Sequence, residues 1–155
     1  MSAFLVLRLT GGAQNASPAL SLGGIRSLIT ATGGLFGGVS HELSITGGVS
    51  YRAVDLVNWG DATAMNLRVQ IDPQTVSPGT VLAVGFGGLE SSARILDETW
   101  APQGVTFVEP GPGNPLYLPP RIVCREGVRL WLRRTVSPWC PALDADTSRL
   151  LWEYR

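Results

Sequence analysis

The chain has 155 residues and a formal net charge of zero at pH 7, with 45% hydrophobic and 15% charged residues. A chain of this length fits one domain, residues 1–155, that buries roughly 70% of its unfolded surface. Zero net charge gives no general attraction to nucleic acid or to an anionic membrane, and no apolar run reaches the roughly 18 residues of a membrane span. We therefore expect a domain made in the cytoplasm, with neither a nucleic-acid nor a membrane partner.

The first half of the chain alternates short apolar runs with glycine pairs. These runs predict strands at residues 3–10, 25–30, 41–46, 51–57 and 65–72. In the last of them Leu67, Val69 and Ile71 alternate with polar residues, which is the period of two of a half-buried strand. Residues 11–24 are rich in glycine and small polar side chains. We therefore expect the first twenty residues to form an N-terminal strand or an extended arm that becomes ordered on docking.

The second half of the chain follows the same pattern. Strands are predicted at residues 81–86, 92–97, 104–109, 128–135 and 148–154. Gly87 and Gly88 are expected to end the first of these, and the PGPGNP segment at 110–115 excludes regular structure. Eight to ten strands separated by glycine and proline, without an amphipathic helix, predict an all-β fold. The expected fold class is a single-domain antiparallel β-sandwich or jelly roll with an extended glycine-rich N-terminal region.

Nine short segments occur in a defined order from residue 21 onward. They are SLGG at 21–24, LF at 35–36, VS at 39–40, YR at 51–52, DAT at 61–63, LRVQI at 67–71, SP at 77–78, APQGVTF at 101–107 and LWLRRTV at 130–136. In this order and spacing the chain resembles a family of tailed-bacteriophage virion proteins, from about residue 20 to its end. It departs from that family at 137–141, where SPWCP replaces an alanine- and asparagine-rich loop.

The resemblance implies a non-enzymatic structural protein located in the virion, on the capsid surface, after synthesis in the host cytoplasm. The role it favours is capsid decoration, in which a cement protein bridges and stabilises subunits of the major capsid protein. Its expected partners are the major capsid protein and copies of itself, assembled as a homotrimer. One alternative is a tail or baseplate component of the same virion. Another is a module that binds host glycans on Trp59, Trp131 or Trp139.

Residues able to carry catalysis or bind a metal are few. His41 is the only histidine, and it has no nearby nucleophile motif, so it is predicted to be an ordinary surface or turn residue. Together with Cys124 and Cys140 it lacks the paired spacing of a zinc site. Asp144 and Asp146 have oxygen ligands suited to calcium, but without the glycine and distal glutamate of an EF-hand loop they favour a capped turn. No catalytic residue, metal or cofactor is expected.

The strand at 128–135 carries the first candidate interface. Arg129, Trp131 and Arg133 alternate with apolar residues, so they are predicted to share one polar face with the indole between two guanidinium groups. This face is interpreted either as a subunit contact or sugar-binding platform, or as a solvated surface covered by arginine stems.

The two cysteines flank this strand and supply the second candidate. The strand is roughly 26 Å long at about 3.3 Å per residue, whereas the Cα atoms of a disulfide lie about 5.5 Å apart. An intrachain bridge between Cys124 and Cys140 is therefore disfavoured. The remaining alternatives are two reduced thiols or a bond between subunits in oxidising surroundings. Trp139, in the SPWCP segment, is the last candidate interface residue.

Overall fold

Antiparallel strands form most of the regular structure in the computed structural model, which describes residues 1–74, 79–140 and 148–155. The strands are β1 (Leu5–Thr10), β2 (Arg26–Thr30), β3 (Gly48–Asn58), β4 (Ala64–Met65), β5 (Arg68–Ile71), β6 (Thr80–Leu89), β7 (Phe107–Val108), β8 (Leu116–Tyr117), β9 (Arg121–Ile122), β10 (Gly127–Val136) and β11 (Leu150–Glu153). Within the described residues they are joined by one α-helix, α1 (His41–Thr46), and one 3₁₀ turn, Pro18–Leu20.

Three antiparallel sheets assemble from these strands. The largest has six strands in the order β2-β1-β3-β10-β6-β7, and the others have the orders β11-β5-β8 and β4-β9. In the large sheet β10 pairs with β3 over ten residues, from Gly127 opposite Val57 to Val136 opposite Gly48. The predicted all-β antiparallel sandwich is confirmed.

The main core lies between the large sheet and the two smaller ones. It is built from buried apolar side chains on one face of each sheet, namely Leu5, Val54, Leu56, Ala64, Leu67, Val69, Ile71, Val84, Leu118, Ile122, Val128, Leu130 and Leu132. The predicted alternation in β5 is confirmed, because Leu67, Val69 and Ile71 all point into this core while Arg68 is exposed.

The opposite face of the large sheet is also covered. A second cluster packs Tyr51, Ala53 and Trp131 of the sheet against Ile95. The segment that contains Ile95 is predicted to be a strand at 92–97, which is wrong: it forms an isolated bridge from Arg94 to Gly23. The backbone N–H of Ile95 donates to Leu22 O at 2.9 Å. The segment therefore crosses the sheet as a cover without extending it.

Residues 41–46 are predicted to be a strand but form α1. Ser40 caps this helix by accepting a hydrogen bond at its hydroxyl from the Leu43 N–H, at 3.1 Å. Glu42 lies in the first turn and Gly47, at φ 70°, ends the helix. A cap, an early acidic residue and a terminal glycine are the local signals of a helix, and they override the weak strand pattern.

The glycines predicted to end the strand at 81–86 lie inside β6. Arg129 faces Gly88 and Leu130 faces Phe86, so Gly87 is an extra residue that forms a bulge. The bulge lets β6 continue to Leu89 beside the start of β10.

The N-terminal segment is a strand and not an arm. β1 lies between β2 and β3, and its Leu5, Leu9 and Thr10 are buried. The strand prediction for residues 3–10 is confirmed, whereas the prediction of an arm ordered only on docking is wrong, because β1 completes the large sheet within the chain itself. No helix in the described part of the chain is long and apolar enough to cross a membrane.

Candidate interaction surfaces

Arg129, predicted to lie on an exposed polar face, is buried in an ion pair. Its guanidinium donates to both carboxylate oxygens of Asp55, at 2.5 and 3.3 Å, and the two side chains are 0% and 3% exposed. The same guanidinium also donates to Ala93 O at 2.7 Å and to Gly24 O at 2.8 Å. A buried charge needs this degree of pairing, because desolvation otherwise makes it costly. Arg129 therefore fixes the covering segment to the sheet.

A second arginine extends this cluster towards the surface. Arg26 on β2 contacts Asp55 at 3.1 Å and Glu90, at the end of β6, at 3.1 Å. Glu90 in turn accepts a hydrogen bond from the Gly127 N–H. Arg129 of β10 and Arg26 of β2 thus meet at Asp55, which joins strands on both sides of β3.

Trp131 is 1% exposed, so the predicted platform does not reach the surface. Both interpretations of the Arg129–Trp131 face are wrong for the same reason: the segment around Ile95 covers that face. Arg133 is partly buried, with its guanidinium carbon 5.0 Å from the centre of the Phe107 ring. Alternation along β10 predicted that one face of the strand is buried, but it does not indicate whether another segment covers the second face.

A cluster that the sequence did not predict holds the loop before α1 against the main core. Arg52 and Arg134 lie 5.3 and 5.1 Å from the Phe36 ring centre. Arg52 also contacts Glu98 at 2.6 Å, and Arg134 donates to Gly37 O. Burial, followed by the charge of Arg52, lowers the pKa of Arg134 below its usual value.

An exposed aromatic group stands at the opposite end of the large sheet. Trp59 follows β3 and its side chain is exposed (47% for the residue), while its backbone N–H donates to Phe4 O at 2.7 Å. The guanidinium carbons of Arg8 and Arg125 lie 5.1 and 3.9 Å from the Trp59 ring centre. Arg8 also donates to the carbonyl of Leu28. We call these five residues, Phe4, Arg8, Leu28, Trp59 and Arg125, the Trp59 surface.

The Trp59 surface combines exposed apolar side chains with arginines that have no acidic partner in the ranges that the structure describes. Phe4 and Leu28 are 57% and 61% exposed. Among the described residues neither Arg8 nor Arg125 has a carboxylate within ion-pair distance. Tryptophan and arginine are the residue types most enriched where binding energy concentrates. Sequence reasoning singled out Trp59 only as a sugar platform, and it missed the rest because β1, β2 and the turn before β10 are far apart along the chain.

The remaining candidates lie at both ends of β10. Cys124 is exposed beside the Trp59 surface, and its thiol donates to Gly60 O at 2.8 Å. Cys140 is partly buried at the other end, 3.5 Å from the Thr80 hydroxyl, and no disulfide joins it to Cys124. Trp139 beside it is 77% exposed. The structure thus places Cys124 with Trp59, and Cys140 with Trp139, but does not bring the two pairs together.

The residues considered for other chemistry are dispersed. His41 is exposed in the first turn of α1. Where the structure describes the chain, no three histidine, cysteine or acidic residues are grouped as metal ligands. Asp144 and Asp146, like the SP segment at 77–78, lie outside the described residues. Comparisons with protein families, with curated proteins and with solved structures found no match for this chain.

Proposed function

We propose that this chain is a non-enzymatic structural protein of a tailed-phage virion, a decoration protein that bridges and stabilises major-capsid subunits. The observation that carries the proposal is the Trp59 surface, where an exposed tryptophan in contact with two arginines lies beside exposed Phe4 and Leu28 at one end of the sandwich. The segment order from residue 21 onward, with its resemblance to phage virion proteins, supports the same role.

The Trp59 surface has the energetic features of an attachment site. Burying an exposed aromatic side chain against a partner contributes about 1.5–3 kcal/mol at roughly 25 cal/mol per Å². Arg8 and Arg125 are already oriented by their contacts with Trp59. An oriented guanidinium loses less freedom when it binds a carboxylate of the partner. Contact with an acidic, partly apolar patch of the capsid lattice would use all five residues.

The interior of the domain suits a protein that resists mechanical load. Asp55, Arg129 and Arg26 connect β2, β3 and β10, and the Arg129 guanidinium also holds the covering segment. A domain tied in this way transmits force between neighbouring subunits with little deformation of its own. A homotrimer seated over a lattice axis would engage several capsid subunits at once, which multiplies weak contacts into firm attachment.

The location of the chain in the particle tests the role. We would insert a small tag at Gly113, which is exposed and lies outside the Trp59 surface, and image purified virions by electron microscopy. The expected result is repeated density on the capsid shell. Density on the tail or baseplate would support the alternative structural role, and virions that lack the tagged chain would overturn the proposal.

The attachment surface is tested by substitution. Trp59→Ala should weaken binding to capsids stripped of the protein by at least about tenfold, since residues of this kind contribute about 2 kcal/mol or more. Trp100→Ala is the matched control, because Trp100 is 57% exposed and lies outside the Trp59 surface. Co-sedimentation with stripped capsids gives both values. Equal binding by the two variants would exclude the Trp59 surface, and loss only in Trp139→Ala would move the site to the far end of β10.

A further inference from the structure

A row of polar and aromatic side chains crosses the outer face of the smaller sheet β11-β5-β8. Strand register places Arg68 of β5 opposite Glu153 of β11 on one side and opposite Tyr117 of β8 on the other. The Arg68 Nε donates to a Glu153 carboxylate oxygen at 2.8 Å. The hydrogen bond to Glu153, followed by the influence of the neighbouring Tyr117, raises the pKa of Arg68. Arg68 and Glu153 are therefore oriented before any ligand arrives, with Tyr117 next to them in the strand register.

This row forms the floor of a concave site. Asn66, Pro120, Tyr154 and Arg155 complete the lining of a depression of about 450 Å³. That volume is within the range of small-ligand sites. The walls are built by backbone pairing, since Asn66 N donates to Pro120 O at 3.0 Å and Met65 exchanges two hydrogen bonds with Arg155. Tyr117 is 68% exposed, so its ring is open to a ligand in the depression.

The side chains of the depression are complementary to a polyhydroxylated ligand. A pyranose ring has an apolar C–H face that stacks on an aromatic ring, and its hydroxyls both donate and accept hydrogen bonds. Tyr117 supplies the ring, Arg68 and Asn66 supply donors, and Glu153 and the Asn66 amide oxygen supply acceptors. Because Glu153 already pairs with Arg68, the Arg68 guanidinium has less attraction for an anion than an unpaired arginine would have.

We propose that this depression is a saccharide-binding site in which an uncharged sugar ring stacks on Tyr117 and pairs with Arg68, Glu153 and Asn66. The inference does not depend on the proposed structural role. It differs from the sugar platform predicted from the sequence, because that platform relied on tryptophans and Trp131 is buried. On a virion protein, such a site would give weak contact with host surface glycans in addition to attachment to the capsid.

The test is an NMR titration of the full ¹⁵N-labelled chain with cellotriose, chitotriose and lactose, each to about 10 mM, a range suited to millimolar dissociation constants. We expect at least one sugar to shift amide signals at residues 66–68, 116–118 and 153–155. The location of these shifts in the unaltered chain requires no variant. No shift with any of the three sugars, or shifts centred elsewhere, would overturn the proposal.

Variants then separate stacking from hydrogen bonding. Tyr117→Ala should weaken binding at least about tenfold, whereas Tyr117→Phe keeps the ring and should stay within about threefold. Trp139→Ala, which removes an exposed aromatic elsewhere, should leave binding unchanged. Tyr117→Ala should also bind stripped capsids like the unaltered chain, so a failure of sugar binding and a failure of capsid attachment are distinguishable. Undiminished sugar binding by Tyr117→Ala would overturn the stacking role.

Discussion

Asp55 is the residue on which the buried polar structure of this protein depends. It lies on the central strand β3 and binds Arg129 on β10 and Arg26 on β2 through its two oxygens. Asp55 thereby links β3 to its neighbour β10 and, across β1, to β2. Whether such a pair adds stability over an apolar core varies between proteins, but removing one partner alone leaves a buried charge.

Arg129→Met should therefore destabilise the fold by about 3–5 kcal/mol, because the buried Asp55 keeps only Arg26 as an ion-pair partner and Gly24 O loses the Arg129 donor. Urea unfolding followed by circular dichroism measures this loss. Arg68→Met is the matched control: it breaks the exposed pair with Glu153 and should change stability far less. Similar losses in both variants would contradict the role assigned to burial.

Asp97 offers a pH-dependent test at a single side chain. Its carboxylate accepts hydrogen bonds from the Thr99 hydroxyl at 2.6 Å and from the Thr99 N–H at 2.8 Å, which lower the pKa of Asp97. Because the folded pKa lies below the unfolded one, this stabilisation is present above the usual value near about 4 and is lost as the pH falls through the folded value. Thr99→Val should raise the Asp97 midpoint in an NMR titration, and Thr99→Ser should keep it low. An unchanged midpoint in Thr99→Val would refute the assignment.

At the scale of elements, the bulge in β6 contains a glycine because a side chain there would collide with β10, and not because glycine ends the strand. A Cβ on Gly87 would lie 2.6 Å from Arg129 Cγ and 2.8 Å from Trp131 Nε1, both in buried side chains. Gly87 therefore lets β6 approach the packed face of β10.

Gly87→Ala should cost about 1–3 kcal/mol, the usual range for forcing an extra group into a packed interior. The control is Gly113→Ala, whose Cβ would meet no atom within 4 Å. It should stay within about 0.5 kcal/mol of the unaltered chain. Thermal unfolding of the two variants compares them directly, and a stable Gly87→Ala protein would show that the contact relaxes easily.

β1 is an internal strand, so its loss should prevent folding. Removing residues 1–10 leaves β2 and β3 without their shared partner and takes Leu5 and Leu9 out of the interior. We expect an insoluble or unfolded product by far-ultraviolet circular dichroism, while removal of residues 1 and 2 alone should leave the fold intact. A soluble, folded chain without residues 1–10 would restore the arm that the sequence predicted.

The sequence predicted those elements whose side chains carry a clear period. β3, β5 and β10 follow from alternating or continuous apolar residues, and their positions are confirmed. α1 was missed because its cap at Ser40 and its stop at Gly47 enclose only six residues. β8 and β9, two residues each, have no period to detect, and they form only because β5 and β4 already provide partners.

For the whole molecule, sequence reasoning established the sandwich but not its surfaces. Arg129 and Trp131 were predicted to be exposed, because the sequence of β10 does not indicate that residues 91–97 cover that face of the strand. The Trp59 surface and the Tyr117 depression each combine residues from three or more separated segments. Such sites depend on strand order and register, which a single sequence specifies only weakly.

Assembly can be examined through Cys124, the exposed thiol beside the Trp59 surface. If subunits pair through this end, mild oxidation should link them through Cys124, and non-reducing electrophoresis should show a dimer band. Cys124→Ser should abolish the band, whereas Cys140→Ser should retain it because Cys140 is partly buried. Monomer-sized migration of the oxidised unaltered chain would exclude close approach of two Cys124 residues.

The long pairing of β3 with β10 separates two ends of the molecule. Trp59 and Cys124 stand where β10 begins, and Trp139 and Cys140 follow where it finishes, a distance of roughly 30 Å at about 3.3 Å per residue. A hydrogen-bonded ladder of this length stretches very little. If one partner bound at each end of the domain, the spacing between the two partners would be set by the number of residue pairs between β3 and β10.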